Sequence, residues 1–138
     1  MTLHVELVSP EQVLYSGEAE MVVCRTTDGE IAFLTGHAQF VGSLGIGEVR
    51  LFEPNGDVVH AAVHGGFVEV SHDRVTVLSD VAELANQIDV ARAQRAAEQA
   101  EILLREGGHP EAEAALRRAR VRVEVAQSAT ATRSQAAH

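Results

Sequence analysis

The sequence predicts an α+β chain, an N-terminal antiparallel β-sandwich followed by a C-terminal antiparallel helical hairpin. Three observations predict it. Nine of the eleven glycines fall in residues 1–86. Turn signals recur there about every 8–12 residues with no helical period between them, which is the spacing of a sandwich or barrel. From residue 87 the chain is rich in Ala, Arg, Gln and Glu, and its apolar residues recur at helical spacing.

In the first part, Leu3, Val5 and Leu7 alternate with His4 and Glu6, a half-buried strand. Ser9-Pro10-Glu11 turns the chain. Met21 to Cys24 is apolar at successive positions, so that strand is expected to be covered on both faces. Asp28-Gly29 is a hairpin turn signal, because both residues tolerate positive φ. Ile31 to Leu34 is a short strand, and Gly36-His37 marks a corner. Val49 and Leu51 alternate with Glu48 and Arg50, and Asn55-Gly56 is a second hairpin turn. Val58 to Val63, Phe67 to Val70 and Val75 to Leu78 complete the strands.

The second part changes period. Asn86 is a candidate N-cap with Asp89 three residues on. Ala93, Ala96, Ala97, Ala100, Leu103 and Leu104 form one stripe. Gly107-Gly108 ends that helix and Pro110 opens the next, where its missing N–H costs nothing. Ala112, Ala115, Leu116, Ala119, Val123 and Ala126 form the second stripe. Both stripes lean on alanine, whose burial stabilises far less than that of leucine, so the hairpin is expected to be weakly held. The resulting domains are 1–86 (sandwich), 87–127 (hairpin) and 128–138, a small polar segment expected to be a disordered tail.

Composition excludes several functions. The 138 residues are 46% hydrophobic, enough for a packed core, but only 4% aromatic, which argues against a base-stacking platform. The net charge of −9 argues against nucleic-acid binding. Cys24 is the single cysteine, so neither an internal disulfide nor a cysteine-built zinc site is available. With no basic-then-apolar leader and no apolar run of 18 residues, neither cleaved export nor membrane insertion is expected. Charge divides with the domains. Residues 1–86 carry three Arg and thirteen acids, and residues 87–138 carry eight Arg and seven acids. An acidic β unit bearing a lightly held cationic arm suits a lever or sensor better than an enzyme.

Several segments carry a resemblance. Val8-Ser9-Pro10-Glu11 and Tyr15-Ser16-Gly17-Glu18 stand near the start, and Asp28-Gly29-Glu30 precedes Gly36-His37-Ala38. Val63-His64-Gly65-Gly66-Phe67-Val68-Glu69-Val70 leads into Val75-Thr76-Val77-Leu78, and Ile88-Asp89-Val90-Ala91-Arg92-Ala93 opens the first helix. In this order the chain resembles the epsilon subunit of the bacterial F-type ATP synthase over nearly its whole length. Ala32-Phe33, Thr35 and Gln39 depart from the family pattern around one turn. The resemblance implies a sandwich of about ten strands. It also implies a non-catalytic rotor subunit of the central stalk, bound to the gamma subunit and the c-ring on the cytoplasmic face of the bacterial membrane. Such a subunit couples proton flow to ATP synthesis, and its mobile hairpin restrains ATP hydrolysis.

The resemblance also implies sites. Glu30 and His37 stand where the family faces the c-ring and the foot of gamma; the alternative is a solvated hairpin acid and a turn histidine. Ile88, Asp89, Arg92 and Ala93 match a nucleotide-binding signature. In it Asp89 meets the adenine amino group or orients Arg92, Arg92 contacts phosphate, and Ala93 leaves room for the base. Arg118 and Arg122, four residues apart and so on one helix face, would complete the clamp. The alternative is a capping Asp, a paired Arg and a solvated arginine face. No cofactor is required, and the implied ligand is a weakly bound regulatory ATP. Arg117, Arg118, Arg120 and Arg122 are also the implied contact to the catalytic beta subunits, made transiently against the alpha/beta assembly. No catalytic or metal residue is assigned. Two rival classes stand beside this reading. One is a small-ligand-binding β-sandwich module with a helical dimerisation hairpin. The other is a metal-dependent barrel enzyme using His60, His64 and Glu69.

Overall fold

The computed structural model describes residues 1–136. Eight strands come first: β1 (Leu3–Val8), β2 (Val13–Ala19), β3 (Met21–Thr26), β4 (Gly29–Leu34), β5 (Phe40–Phe52), β6 (Val58–Ser71), β7 (Arg74–Leu78) and β8 (Ala82–Leu84). A 3-10 turn at Ala85–Gln87 leads to helices α1 (Val90–Glu106) and α2 (Ala112–Ala136).

The predicted ten strands reconcile with eight because β5 and β6 are long and bend. Residues 67–71 of β6 pair with β7, whereas residues 61–63 pair with β8. Residues 40–44 of β5 run beside 66–70 of β6, and beyond the bend residues 50–52 pair with β3. One layer is therefore β2, β1, β7 and the facing ends of β6 and β5. The other is β8, the remaining halves of β6 and β5, then β3 and β4. The bend in β6 falls at Gly65 and Gly66, with φ of +84° and +120°. A Cβ on Gly66 would lie 2.0 Å from the Leu78 carbonyl oxygen, so only glycine fits the bend.

One core fills the space between the layers. Leu3, Val5, Leu7, Val68, Val70, Val75 and Val77 from the first layer meet Val22, Cys24, Phe33, Leu51, Ala61 and Val63 from the second. The expected alternation of β1 holds, and β3 is buried on both faces, with Val22 and Cys24 in the core and Val23 opposite. Burial pushes the Cys24 thiol up to about 12, as fits a small core residue.

Three local features differ from the expectations. β2 was not anticipated, although Tyr15 and Gly17 alternate with Ser16 and Glu18 along it. The turn from β6 to β7 is made by His72 and Asp73, both at positive φ, with Ser71 paired to Arg74. Neither is glycine, so the turn carried no Gly signal; His and Asp are among the side chains that tolerate this region. Finally, the N-cap of α1 is Asp89 and not Asn86. Its Oδ1 accepts from the Arg92 backbone N–H at 3.0 Å, while Asn86 sits in the preceding 3-10 turn.

Helix α1 closes at Gly107, whose N–H donates to the Leu103 carbonyl. Helix α2 continues to Ala136, so the segment from 128 to 136 is helical and not the disordered tail expected of it; residues 137 and 138 lie outside the described residues. The physical reason is the absence of a stop. No Gly or Pro interrupts 111–136. A helix already nucleated propagates through such residues at little cost.

The hairpin packs on the outer face of the second layer. Ala62 of β6 and Ile88 meet Val125 and Ala126 of α2, with Ala85, Val90 and Val121 at the margins. Ala62 is fully buried and faces outward, one residue from the core-facing Ala61 and Val63. A small side chain there lets the helix approach closely. It also keeps the apolar area of the seam, and so its stabilisation, small.

Candidate functional site

The seam between sandwich and hairpin gathers most of the sequence-predicted residues. Asp89, Arg92 and Ala93 at the start of α1 and Arg122 of α2 line one cavity of about 310 Å³, together with Glu83, Gln87 and Ala96. That volume is near the lower end of the range for small-molecule sites. Each wall follows from a local cause. The β8 strand pairs with β6 and brings Glu83 to the seam, with Ala62 opposite it in register. The Gln87 Oε1 accepts from the Leu84 N–H at 2.9 Å, holding the turn that aims α1. Asp89 is fixed by its capping bond.

Arg122 is already engaged. Its Nε donates to Glu83 Oε1, and both side chains are 29% exposed. Among the described residues this ion pair is the direct charged tie between hairpin and sandwich. Glu83 was not singled out from the sequence. No periodicity marks it, because its place depends on a three-residue strand adding to β6.

The remaining predicted residues divide. Ile88 is not a cavity wall; it is nearly buried in the apolar seam. Arg118 is absent from the cavity lining, and its charge instead acts on His64 of β6. Arg120 donates to Glu101 of α1 at 3.2 Å, tying the two helices together. Arg117 and Arg120 border a second cavity, about 360 Å³, with Arg25, Glu30 and Glu48 from the sandwich. In the docked hairpin Arg122 is thus paired with Glu83 and Arg120 with Glu101, Arg118 acts on His64, and Arg117 lines the second cavity.

Glu30 and His37 are not brought together. Glu30 stands beside the β3–β4 turn, opposite Arg25, with Arg50 Nη2 3.3 Å from its carboxylate. His37 lies past the other end of β4, its ring edge-on to Phe33 at 4.9 Å and near Phe40 at 6.3 Å. Its Nδ1 is 2.7 Å from the Ala38 carbonyl oxygen.

The metal-enzyme alternative fails on geometry. His60 and His64 share the hairpin side of β6 with Ala62, but past the Gly65–Gly66 bend Val68 and Val70 face the core and Glu69 faces out from the other layer. His60 Nδ1 lies 3.1 Å from Glu48 Oε2. Among the described residues, no group of three potential ligands is placed to hold a metal ion.

Comparison with known proteins decides the family. The model of the ATP synthase delta/epsilon chain β-sandwich domain matches residues 2–85, and that of the delta/epsilon long α-helix domain matches residues 86–127. The chain belongs to the ATP synthase delta/epsilon family. Among its relatives, the ATP synthase epsilon chain of Streptomyces griseus is 48% identical over 96 residues, covering 70% of this chain and 77% of the relative. The epsilon chain of Halalkalibacterium halodurans is 43% identical over 130 residues, covering 91% and 97%. Solved structures share the fold. A chain of the Euglena gracilis mitochondrial ATP synthase OSCP/F1/c-ring assembly matches with a TM-score of 0.69 at 21% identity, over 99% of this chain and 82% of that one. A chain of the Tetrahymena thermophila central stalk/c-ring matches with a TM-score of 0.58 at 14% identity, over 94% and 97%. This epsilon-chain relationship makes the protein a non-catalytic subunit of an ATP synthase. Among the described residues no helix is long and apolar enough to cross a membrane.

Proposed function

We propose that this epsilon chain couples rotation by binding gamma and the c-ring through its sandwich, and restrains ATP hydrolysis by releasing its hairpin. The observation that carries the reading is the contrast between the two outer faces of the sandwich. The second layer is covered by α2. Among the described residues the first is bare, and one row across it is apolar: Val13, Val8, Leu78 and Phe67 are successive cross-strand partners on β2, β1, β7 and β6. Val13 is 55% exposed, Leu78 44% and Phe67 57%. Val41, on the neighbouring strand β5, is exposed as well. A contiguous uncharged row of this kind marks a protein interface. Gamma is the partner the stalk context supports, with the c-ring at the Glu30 corner.

The hairpin is the two-state element. Its seam is built from alanines, valines and one isoleucine, with a single ion pair among the described residues, so a modest differential affinity shifts it. Docked, it permits hydrolysis. Released, it carries Arg117, Arg118, Arg120 and Arg122 toward the catalytic beta subunits. The cavity beside Asp89, Arg92 and Arg122 is suited to a weakly held regulatory ATP that favours docking, because those groups meet only when the hairpin is down. The chain then acts peripherally, on the cytoplasmic face of the membrane.

Two changes in the assembled enzyme test this. Deleting residues 88–138 is expected to leave synthesis largely intact and to raise latent ATPase activity; unchanged ATPase would refute the switch. Phe67→Glu with Leu78→Glu is expected to abolish co-purification with gamma while the sandwich stays folded. Undiminished co-purification would remove the apolar row from the interface.

A further inference from the structure

His64 stands under the hairpin with its polar atoms unsatisfied. It lies on β6 two residues beyond Ala62, on the face that α2 covers. Its side chain is only 3% exposed, and neither Nδ1 nor Nε2 has a hydrogen-bond partner. The groups facing it are Glu83 of β8, whose carboxylate oxygen is 3.9 Å from Nε2, and Arg122 and Arg118 of α2. On its own strand, His60 is engaged with Glu48. Glu83 is itself committed to Arg122. A proton on His64 would therefore be buried beneath two guanidinium groups, with one shared carboxylate to offset it.

We propose that His64 is an acid-sensitive release for the helical hairpin, because protonating it beneath Arg118 and Arg122 favours the undocked arm. The electrostatics agree with the geometry. Burial first, then Arg122, hold the docked imidazole down at about 4, against the opposing pull of Glu83. When α2 lifts, both arginines leave and water returns, whereas Glu83 stays beside β6 through its strand pairing. The free imidazole then returns to the ordinary histidine value of about 6.5. The docked state binds fewer protons, so docking is unaffected well above that value. It weakens as pH falls through about 6.5 and goes on weakening down to about 4. From pH 7.5 to 5.5 these two values amount to about a tenfold rise in the opening equilibrium. Neither nucleotide binding nor the choice of rotor partner enters this inference.

The test reads opening on the full chain in isolation, so it stands apart from the ATPase experiment. Ala126→Cys puts a thiol in the seam against Ala62, where it reacts only when α2 lifts. Gln127→Cys supplies an exposed reference that cancels the intrinsic pH dependence of labelling. Labelled peptides are separated by mass, so buried Cys24 does not interfere. The ratio of seam to reference labelling is expected to rise about tenfold from pH 7.5 to 5.5 with His64 present. It is expected to change less than twofold with His64→Gln, and equally little with the smaller His64→Ser. An equal rise in parent and variants, or no rise in the parent, would overturn the proposal.

Discussion

Arg122 of α2 donates to Glu83 of β8, and among the described residues that ion pair joins a charged side chain of the arm to the sandwich it rests on. Because both groups are half-sheltered, the pair contributes more than a fully solvated one but less than a buried network. Glu83→Gln keeps the size and loses the charge. We expect it to weaken docking by about 1 kcal/mol. Labelling of the seam thiol at neutral pH should rise several-fold while the unfolding midpoint of the sandwich is unmoved.

Ala62 offers a test that does not involve charge. It is fully buried against Val125 and Ala126, so Ala62→Leu has no room unless α2 withdraws. Overpacking of this kind costs about 1–3 kcal/mol. The expected result is an undocked hairpin on an intact sandwich, seen as lost amide protection at Ile88 and Val125 with unchanged protection at Val68 and Val77.

Gly66 tests the bend. Gly66→Ala adds a Cβ that meets the Leu78 carbonyl in a backbone region that L-residues avoid. We expect a loss of more than about 2 kcal/mol in urea unfolding, together with disturbed pairing between β6 and β7.

Asp89 has two readings that a pair of variants separates. As an N-cap it accepts from the Arg92 N–H, and asparagine caps as well as aspartate does. Asp89→Asn should leave α1 helicity unchanged, whereas Asp89→Ala should cost about 1 kcal/mol of helix stability. If the carboxylate also serves a nucleotide, Asp89→Asn alone should weaken ATP binding by calorimetry. Equal binding by parent and Asp89→Asn would assign the residue to capping only.

Cys24 reports the integrity of the core. Burial raises its thiol to about 12, so almost no thiolate forms in the folded chain at pH 8. Alkylation should be negligible in native buffer and fast in denaturant.

Much of this fold is legible in the sequence, and the features that are not share a cause. Asp28-Gly29 and Asn55-Gly56 announced their turns because positive φ needs residues of that kind; His72-Asp73 did the same work without glycine and went unseen. The helical period of α1 and α2 is legible because periodicity is local, but the buried face is only partly so: Ala96 and Leu104 of the expected α1 stripe are exposed, and Val125, fully buried against the sandwich, lies off the expected α2 stripe. The end of α2 was not, since polarity alone does not stop a helix that lacks a breaker. Asp89, Arg92 and Arg122 were legible as a set, but Glu83 was not, since its place is set by its pairing opposite Ala62.

By itself the sequence determined the composition break near residue 86, the alternation of β1 and the alanine-lined helices, because each rests on neighbours a few residues apart. Tertiary structure alone decided that β5 and β6 serve both layers, that one outer face is covered and the other bare, and that His64 lies beneath two arginines. Those relations join residues tens of positions apart. They depend on register and close packing, which no local pattern encodes.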